Sequence, residues 1–196
     1  VSALDTKPNE SYIIIKPLKI HEQFSAITEK ANKILMMSAT ICGGEEFKKE
    51  ALQLWKSKKI IFPVDVVVGD INGKKYRVVN LDKKNNIKSS EAIFDIGPAT
   101  VRLYAKYIKS AQTLVWNGAM GYFEQKPYDV GTLAIARLVA SRSKGKAFGV
   151  IGGGETIQTM EMVGMIDDMD FVSTGGGAML EFLSGKKLPG LKYLTK

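Results

Sequence analysis

The sequence predicts an α/β fold: a Rossmann-like three-layer sandwich with a mostly parallel sheet flanked by helices, and a small β-hairpin excursion. Two observations carry this. Short apolar runs rich in β-branched residues alternate with longer amphipathic stretches along the chain, the pattern of strands alternating with helices. Two glycine clusters also sit where an apolar run gives way to a helical pattern, as strand-to-helix turns do at the carboxyl edge of an open parallel sheet.

The elements follow in order. Tyr12–Lys16 reads as a first strand. His21–Lys33 reads as a helix with Phe24, Ile27 and Ala31 on one face, and Ile34–Met37 as a second strand. Glu45–Lys59 has acidic residues at its start, lysines at its end and a stripe of Phe47, Ala51, Leu54 and Trp55. That charge order complements a helix dipole. Ile60–Val68 is a β-branched run read as one buried strand. Gly69–Leu81 then reads as a hairpin, with Val66–Val68, a turn at Asn72-Gly73 and Tyr76–Leu81, and Leu81–Glu91 as an exposed loop. Ala92–Ile96 is a strand, and Pro98 suits the first turn of a helix that runs to about Ala111. Thr113–Trp116, Ala147–Ile151 and Asp170–Thr174 are further strands; Tyr128–Ser143, Gly154–Gly164 and Gly177–Ser184 are further helices. No internal repeat interrupts this order, so one domain is expected.

Composition narrows the function classes. At 196 residues, with 45% hydrophobic and 24% charged residues, the chain is ordinary for a globular domain. No apolar run approaches the roughly 20 residues of a membrane span. The polar start from Val1 to Glu10 lacks a secretory signal and an initiating Met, which suggests a processed, truncated or excised chain. A single cysteine, Cys42, excludes an internal disulfide framework and fits the cytoplasm or another reducing compartment. The net charge of +8 comes from lysines scattered over helix ends and turns, with one histidine, His21, and no zinc-ligand spacing. That distribution favours anionic small molecules over nucleic acid.

The glycine clusters are Gly152-Gly153-Gly154-Glu155-Thr156 and Ser173-Thr174-Gly175-Gly176-Gly177-Ala178. Glycine lets backbone approach an anion closely, and the unpaired N–H groups of a helix start attract phosphate. One such turn can be a mere corner; two in consecutive strand–helix units point to a phosphate site. No Gly-Lys-Ser/Thr follows either cluster, and neither fits Gly-x-Gly-x-x-Gly with a later acidic residue, so the spacing argues against ordinary P-loop and dinucleotide folds. Glu155 stands at a helix start, where a carboxylate either complements the dipole or holds Mg²⁺ beside phosphates.

In this order, the motifs resemble the C-terminal half of phosphoglycerate kinase: Phe94-Asp95-Ile96-Gly97-Pro98, Val115-Trp116-Asn117-Gly118-Ala119-Met120-Gly121-Tyr122-Phe123-Glu124, Gly152–Thr156, Val172–Ala178, and the stretch from Leu180 to Gly190. The similarity is dense from about Ile93 to Leu191 and thinner upstream, where Pro63-Val64-Asp65 still agrees. The resemblance implies that residues 1–196 form one C-terminal nucleotide-binding domain, the N-terminal substrate domain being absent. It implies phosphoryl transfer between 1,3-bisphosphoglycerate and MgADP, with Mg²⁺ and ADP or ATP as ligands and no activity without the other half.

Residue by residue, the resemblance implies that Glu124 contacts the ribose and that Asn117 and Gly118 line the nucleotide cleft. Gly153, Gly154 and Thr156 lie near the nucleotide phosphates, with Glu155 at the metal-linked acidic position. Gly175, Gly176 and Gly177 offer backbone donors to the phosphoryl group in flight, and Lys19 neutralises it. The chain departs from the family at Lys16-Pro17, Gln23, Met36-Met37-Ser38, Ile93 and Ala119. Side chains at Lys16, Pro17, Met36, Met37 and Ile93 are expected to narrow the adenosine pocket. Three readings stay open: the nucleotide half of the kinase, a non-catalytic structural or interaction module in a larger assembly, or a binder of another phosphorylated ligand.

Overall fold

The computed structural model describes residues 11–15, 33–36, 59–81, 87–88 and 90–193. Residues 21–32 and 45–58, read above as helices, lie outside these, as do Lys16, Pro17, Lys19, Gln23, Met37 and Ser38.

The larger sheet is parallel throughout. Its strands are β1 (Ser11–Ile15), β2 (Lys33–Met36), β3 (Ile60–Ile61), β7 (Thr113–Asn117), β8 (Phe148–Gly152) and β9 (Phe171–Ser173), in the order β3-β2-β1-β7-β8-β9. Three strands wind outward one way from β1 and three the other way from β7. The order therefore reverses between β1 and β7, and such a switch point leaves a crevice at the strands' carboxyl ends where ligands bind. β7 is buried at all five positions, as a central strand covered on both faces must be.

The second sheet corrects two expectations. It is antiparallel, with β4 (Asp65–Gly69) between β5 (Tyr76–Asn80) and β6 (Ala92–Ile96). The expected hairpin is present, with Gly73 at φ +70° in its turn, but Ala92–Ile96 joins it and makes a three-stranded sheet. The run Ile60–Val68 is also not one strand. It breaks after Ile61, and its halves join different sheets. Pro63 lacks an N–H to continue a ladder, and the Val64 N–H is taken by the Thr100 hydroxyl at 3.0 Å.

Four helices are described: α1 (Pro98–Ser110), α2 (Val130–Gly145), α3 (Gly154–Met162) and α4 (Gly176–Leu183). Two short 3₁₀ segments, Ile166–Asp168 and Pro189–Tyr193, were not expected. Pro98 opens α1 as predicted. The α1 start is held from across the fold: the Asp65 carboxylate accepts N–H bonds from Ala99 at 2.9 Å and Thr100 at 2.7 Å. A Cβ at Gly97 would lie 2.2 Å from the Asp65 carboxyl carbon, so glycine is required there. Asp95 serves α2 in the same way. Its carboxylate accepts from Gly131 N–H at 2.6 Å and Ile96 N–H at 2.8 Å.

One apolar cluster joins both sheets and the first two helices. It includes Val66, Val68 and Ile96 from the small sheet, Leu114, Trp116 and Ile151 from the large one, and Tyr104, Ile108, Ile135 and Val139 from α1 and α2. Each is at most 2% exposed. Burying such side chains contributes about 1.5–3 kcal/mol apiece, so this core fixes β7 and β8 and thereby the turns that follow them.

Candidate functional site

The site is built on three consecutive strand ends: Asn117 ends β7, Gly152 ends β8 and Ser173 ends β9. The turn after β8 needs glycine for a geometric reason. Gly153 has φ +89° and ψ 142°, a conformation that side-chain-bearing residues reach only under strain. It is the N-cap of α3, so the helix begins on it and leaves the N–H groups of the first turn without intrahelical acceptors. Gly175 plays the same part for α4.

The two turns face each other. The Gly153 N–H donates to the Ser173 carbonyl at 3.3 Å. A Cβ added at Gly176 would lie 2.7 Å from both the Cα and the nitrogen of Gly153. Between the turns sits Asn117, 9% exposed, whose Nδ2 donates to the Gly176 carbonyl at 3.2 Å. Gly154 and Gly177 are uncrowded: nothing lies within 4 Å of a Cβ built on either. The helix openings are thus joined at their base, with open space over Gly154 and Gly177.

Gly118 follows Asn117 at φ +92° and is held at both ends. Its N–H donates to the Thr156 hydroxyl at 2.6 Å, and its carbonyl accepts the Trp116 indole N–H at 2.8 Å. Thr156 is fully buried, so its hydroxyl ties the β7 turn to α3. Asn117, Gly118, Gly153, Thr156 and Gly176 are therefore connected by direct contacts. Gly154, Glu155, Gly175 and Gly177 are exposed beside them at the two helix starts. Glu124 is exposed farther along the loop after β7. Lys19 lies outside the described residues. Of the departures, Ile93 is 36% exposed and paired with Val68 in the small sheet, whereas Ala119 is fully buried.

The arrangement suits a polyanion. Two helix N-termini present backbone donors and partial positive charge to one region, where phosphate oxygens are stabilised. Among the described residues no cluster of three His, Cys, Asp or Glu could enclose a metal. The exposed carboxylate of Glu155 fits Mg²⁺, which commonly takes one or two carboxylates and completes its shell with water and substrate phosphates.

Sequence reasoning quoted Asp65 and Asp95 within motifs and Tyr128 as a helix start, but gave none of the three a role. Asp95 is fully buried; burial, with a smaller push from the nearby Asp129 charge, raises its carboxyl to about 7 against the lowering effect of the Gly131 and Ile96 N–H bonds. A carboxylate inside the apolar run Ala92–Ile96 is itself a signal, since a buried charge needs donors.

The phosphoglycerate kinase family model matches residues 22–186. The phosphoglycerate kinase of Orientia tsutsugamushi (strain Ikeda) is 41% identical over 139 residues, covering 70% of this chain and 34% of that protein. That of Coxiella burnetii is 42% identical over 158 residues, covering 77% of this chain and 39% of the relative. The solved Coxiella burnetii enzyme superposes with a TM-score of 0.84 at 32% identity over 99% of this chain and 55% of its own. The phosphoglycerate kinase of Pyrococcus horikoshii gives 0.75 at 26% identity, over 97% of this chain and 52% of its own. The chain spans about a third of the length of the curated relatives it matches.

Proposed function

The chain belongs to the phosphoglycerate kinase family, and from that premise we propose that residues 1–196 are its C-terminal, nucleotide-binding half. The ligand is MgADP or MgATP, and the reaction served is transfer of a phosphoryl group between 1,3-bisphosphoglycerate and ADP. The observation that supports the reading is the abutment of Gly153 and Gly176 beside the Asn117 amide, which brings two glycine-capped helix starts together.

Phosphoryl transfer asks the protein for positioning and charge neutralisation more than for covalent chemistry. Backbone N–H groups at Gly154 and Thr156 hold the nucleotide phosphates, and Gly153 lies beside them in the turn, its own N–H given to the Ser173 carbonyl. Those at Gly175, Gly176 and Gly177 meet the oxygens of the group in flight, and Lys19 adds a positive charge. Asn117 and Gly118 line the cleft, and the Glu124 carboxylate accepts from ribose hydroxyls. Glu155 holds Mg²⁺, which when bound neutralises charge on the phosphate oxygens. A phosphoglycerate-binding domain, in the intact protein or another chain, completes the reaction. The 196 residues alone give no turnover, because transfer needs both substrates at reaction distance and water excluded. A reducing compartment such as the cytoplasm suits the single Cys42.

A specific observation favours a second reading, a non-catalytic module in a larger assembly. Side chains at Lys16, Pro17, Met36 and Met37 replace glycines that let adenosine lie on bare backbone in the family, and Gln23 replaces a lysine. Calorimetric titration with MgADP decides between the two. Micromolar binding that Glu155→Ala abolishes supports the nucleotide domain. A folded chain that millimolar MgADP neither binds nor stabilises is the module. Adding the N-terminal half of a relative and assaying turnover then tests catalysis.

A further inference from the structure

The loop that carries Glu124 is pinned from two sides by groups given no role so far. From β6, the Phe94 carbonyl accepts the Tyr122 N–H at 2.7 Å, and the Phe94 ring stacks on Tyr128 with centroids 4.4 Å apart and planes 18° from parallel. From the hairpin, the Asp70 carbonyl accepts the Tyr128 hydroxyl, and the Asn72 carbonyl accepts Gln125 Nε2 at 3.4 Å. The hairpin turn and the loop meet closely: a Cβ at Gly73 would lie 2.2 Å from the Lys126 carbonyl oxygen and 2.8 Å from Pro127 Cδ. The turn itself is rigidly built. The Asp70 carboxylate accepts N–H bonds from Asn72, Lys74 and Lys75 at 3.0, 3.1 and 3.0 Å.

Within the loop, the Tyr128 N–H donates to Gln125 at 2.8 Å and the Gln125 N–H to Tyr122 at 3.2 Å. The stretch from Tyr122 to Tyr128 is therefore closed on itself and tied down at its fully buried end, Tyr128, while Glu124 stands exposed. A loop ordered before ligand arrives loses less conformational freedom on binding, and the saving appears as affinity.

We propose that Tyr128 is a positioning residue: through its hydroxyl on Asp70 it uses the β4–β5 hairpin to hold Glu124 in place for the sugar of a bound nucleotide. The inference rests on the reading of Glu124 as a ribose contact. It assigns the small antiparallel sheet a part in nucleotide affinity.

Tyr128→Phe keeps the ring stack and removes only the hydroxyl. The full chain is titrated with MgADP and, separately, with magnesium pyrophosphate, which lacks the sugar. The expected result is an MgADP dissociation constant raised roughly three- to tenfold, the worth of one hydrogen bond, with pyrophosphate binding unchanged. Glu124→Gln should weaken MgADP alone as well, and adding Tyr128→Phe to it should cost nothing more. The proposal is overturned if Tyr128→Phe leaves MgADP binding intact, weakens both ligands equally, or adds its full effect to Glu124→Gln. An unaltered chain that binds pyrophosphate but not MgADP overturns the nucleoside reading, and this inference with it. Hydrogen exchange gives a second readout: the Tyr122, Gln125 and Tyr128 amides should exchange faster in Tyr128→Phe, and unchanged exchange sinks the positioning role. Should that variant not fold, Gln125→Ala removes the bond to Asn72. The same selective loss of MgADP affinity is expected from it, and no change counts against the proposal.

Discussion

The side-chain amide of Asn117, on the last residue of one strand, donates to the carbonyl of Gly176, fifty-nine residues on, at 3.2 Å. That bond spans the end of β8, so a single amide at the end of β7 reaches both glycine turns: Gly153 lies directly against it, a Cβ there being 3.6 Å from Asn117 Oδ1. The spacing between the helix openings is thus set by packing on the protein side, before any ligand is present.

Gly176→Ala tests that spacing. The new methyl would be 2.7 Å from the backbone of Gly153 and 2.9 Å from Asn117 Nδ2. Backbone cannot yield as a flexible side chain does, so the turns must separate. Phosphate affinity should fall about tenfold or more, since misplacement of preorganised donors by a fraction of an ångström is costly. Gly177→Ala, with open space around it, should cost far less. Pyrophosphate titration of the two variants makes the comparison; equal losses would show that the abutment does not set the site.

Thr156→Val tests the tie between the β7 turn and α3. Valine keeps the shape but removes the acceptor of the Gly118 N–H, now bound at 2.6 Å in a buried place. An orphaned buried N–H costs about 1–3 kcal/mol. The urea midpoint should drop accordingly, whereas Thr156→Ser, which retains the hydroxyl, should recover part of the loss. A valine variant as stable as the original would remove this bond from the account.

Much of this was legible in the chain. Over the described residues, alternation of β-branched runs with amphipathic stretches gave the strand and helix order, and the glycine clusters marked the strand ends that β8 and β9 provide. The failures share a cause. Ile60–Val68 reads as continuous because every residue but Pro63 and Asp65 is apolar, yet those two residues divide it between sheets. The donors that make Asp65 a helix cap belong to Ala99 and Thr100, far along the chain, and no local pattern announces them. Tyr128 reads as the start of a helix, but the helix begins at Val130 and the tyrosine serves the hairpin instead.

Asp65→Ala follows from that cap. It strips acceptors from Ala99 N–H and Thr100 N–H and leaves the Thr100 hydroxyl, which also lies 2.7 Å from the carboxylate, one partner fewer. Charged caps with several bonds are worth more than single neutral ones, so about 2–4 kcal/mol of stability should be lost. Denaturant unfolding measures it. A loss below about 0.5 kcal/mol would mean that α1 holds its own start.

Asp95 makes the most particular prediction, because its effect on stability runs opposite to that of most carboxylates. Burial raises its carboxyl to about 7 in the folded chain, whereas in the unfolded chain it titrates near the ordinary value of about 4. Between those values the folded state binds a proton that the unfolded state does not, so this group adds stability as pH falls from about 7 toward 4 and withdraws it as pH rises. At about 1.4 kcal/mol per unit, the swing is on the order of 2–4 kcal/mol. Glu91 works the other way but in a lower window: its bond to Arg77 holds it down at about 2, so its contribution is kept above about pH 4.5 and lost only in stronger acid. Asp95→Asn cannot titrate, and its amide group must turn an N–H toward one of the two backbone donors, so it should be less stable throughout. The decisive quantity is the stability difference between the original chain and this variant, read by urea unfolding from pH 4.5 to 7.5. It should widen steadily toward acid; a difference that stays flat would mean that the helix start and its two N–H bonds keep Asp95 ionised, and that burial has not raised it.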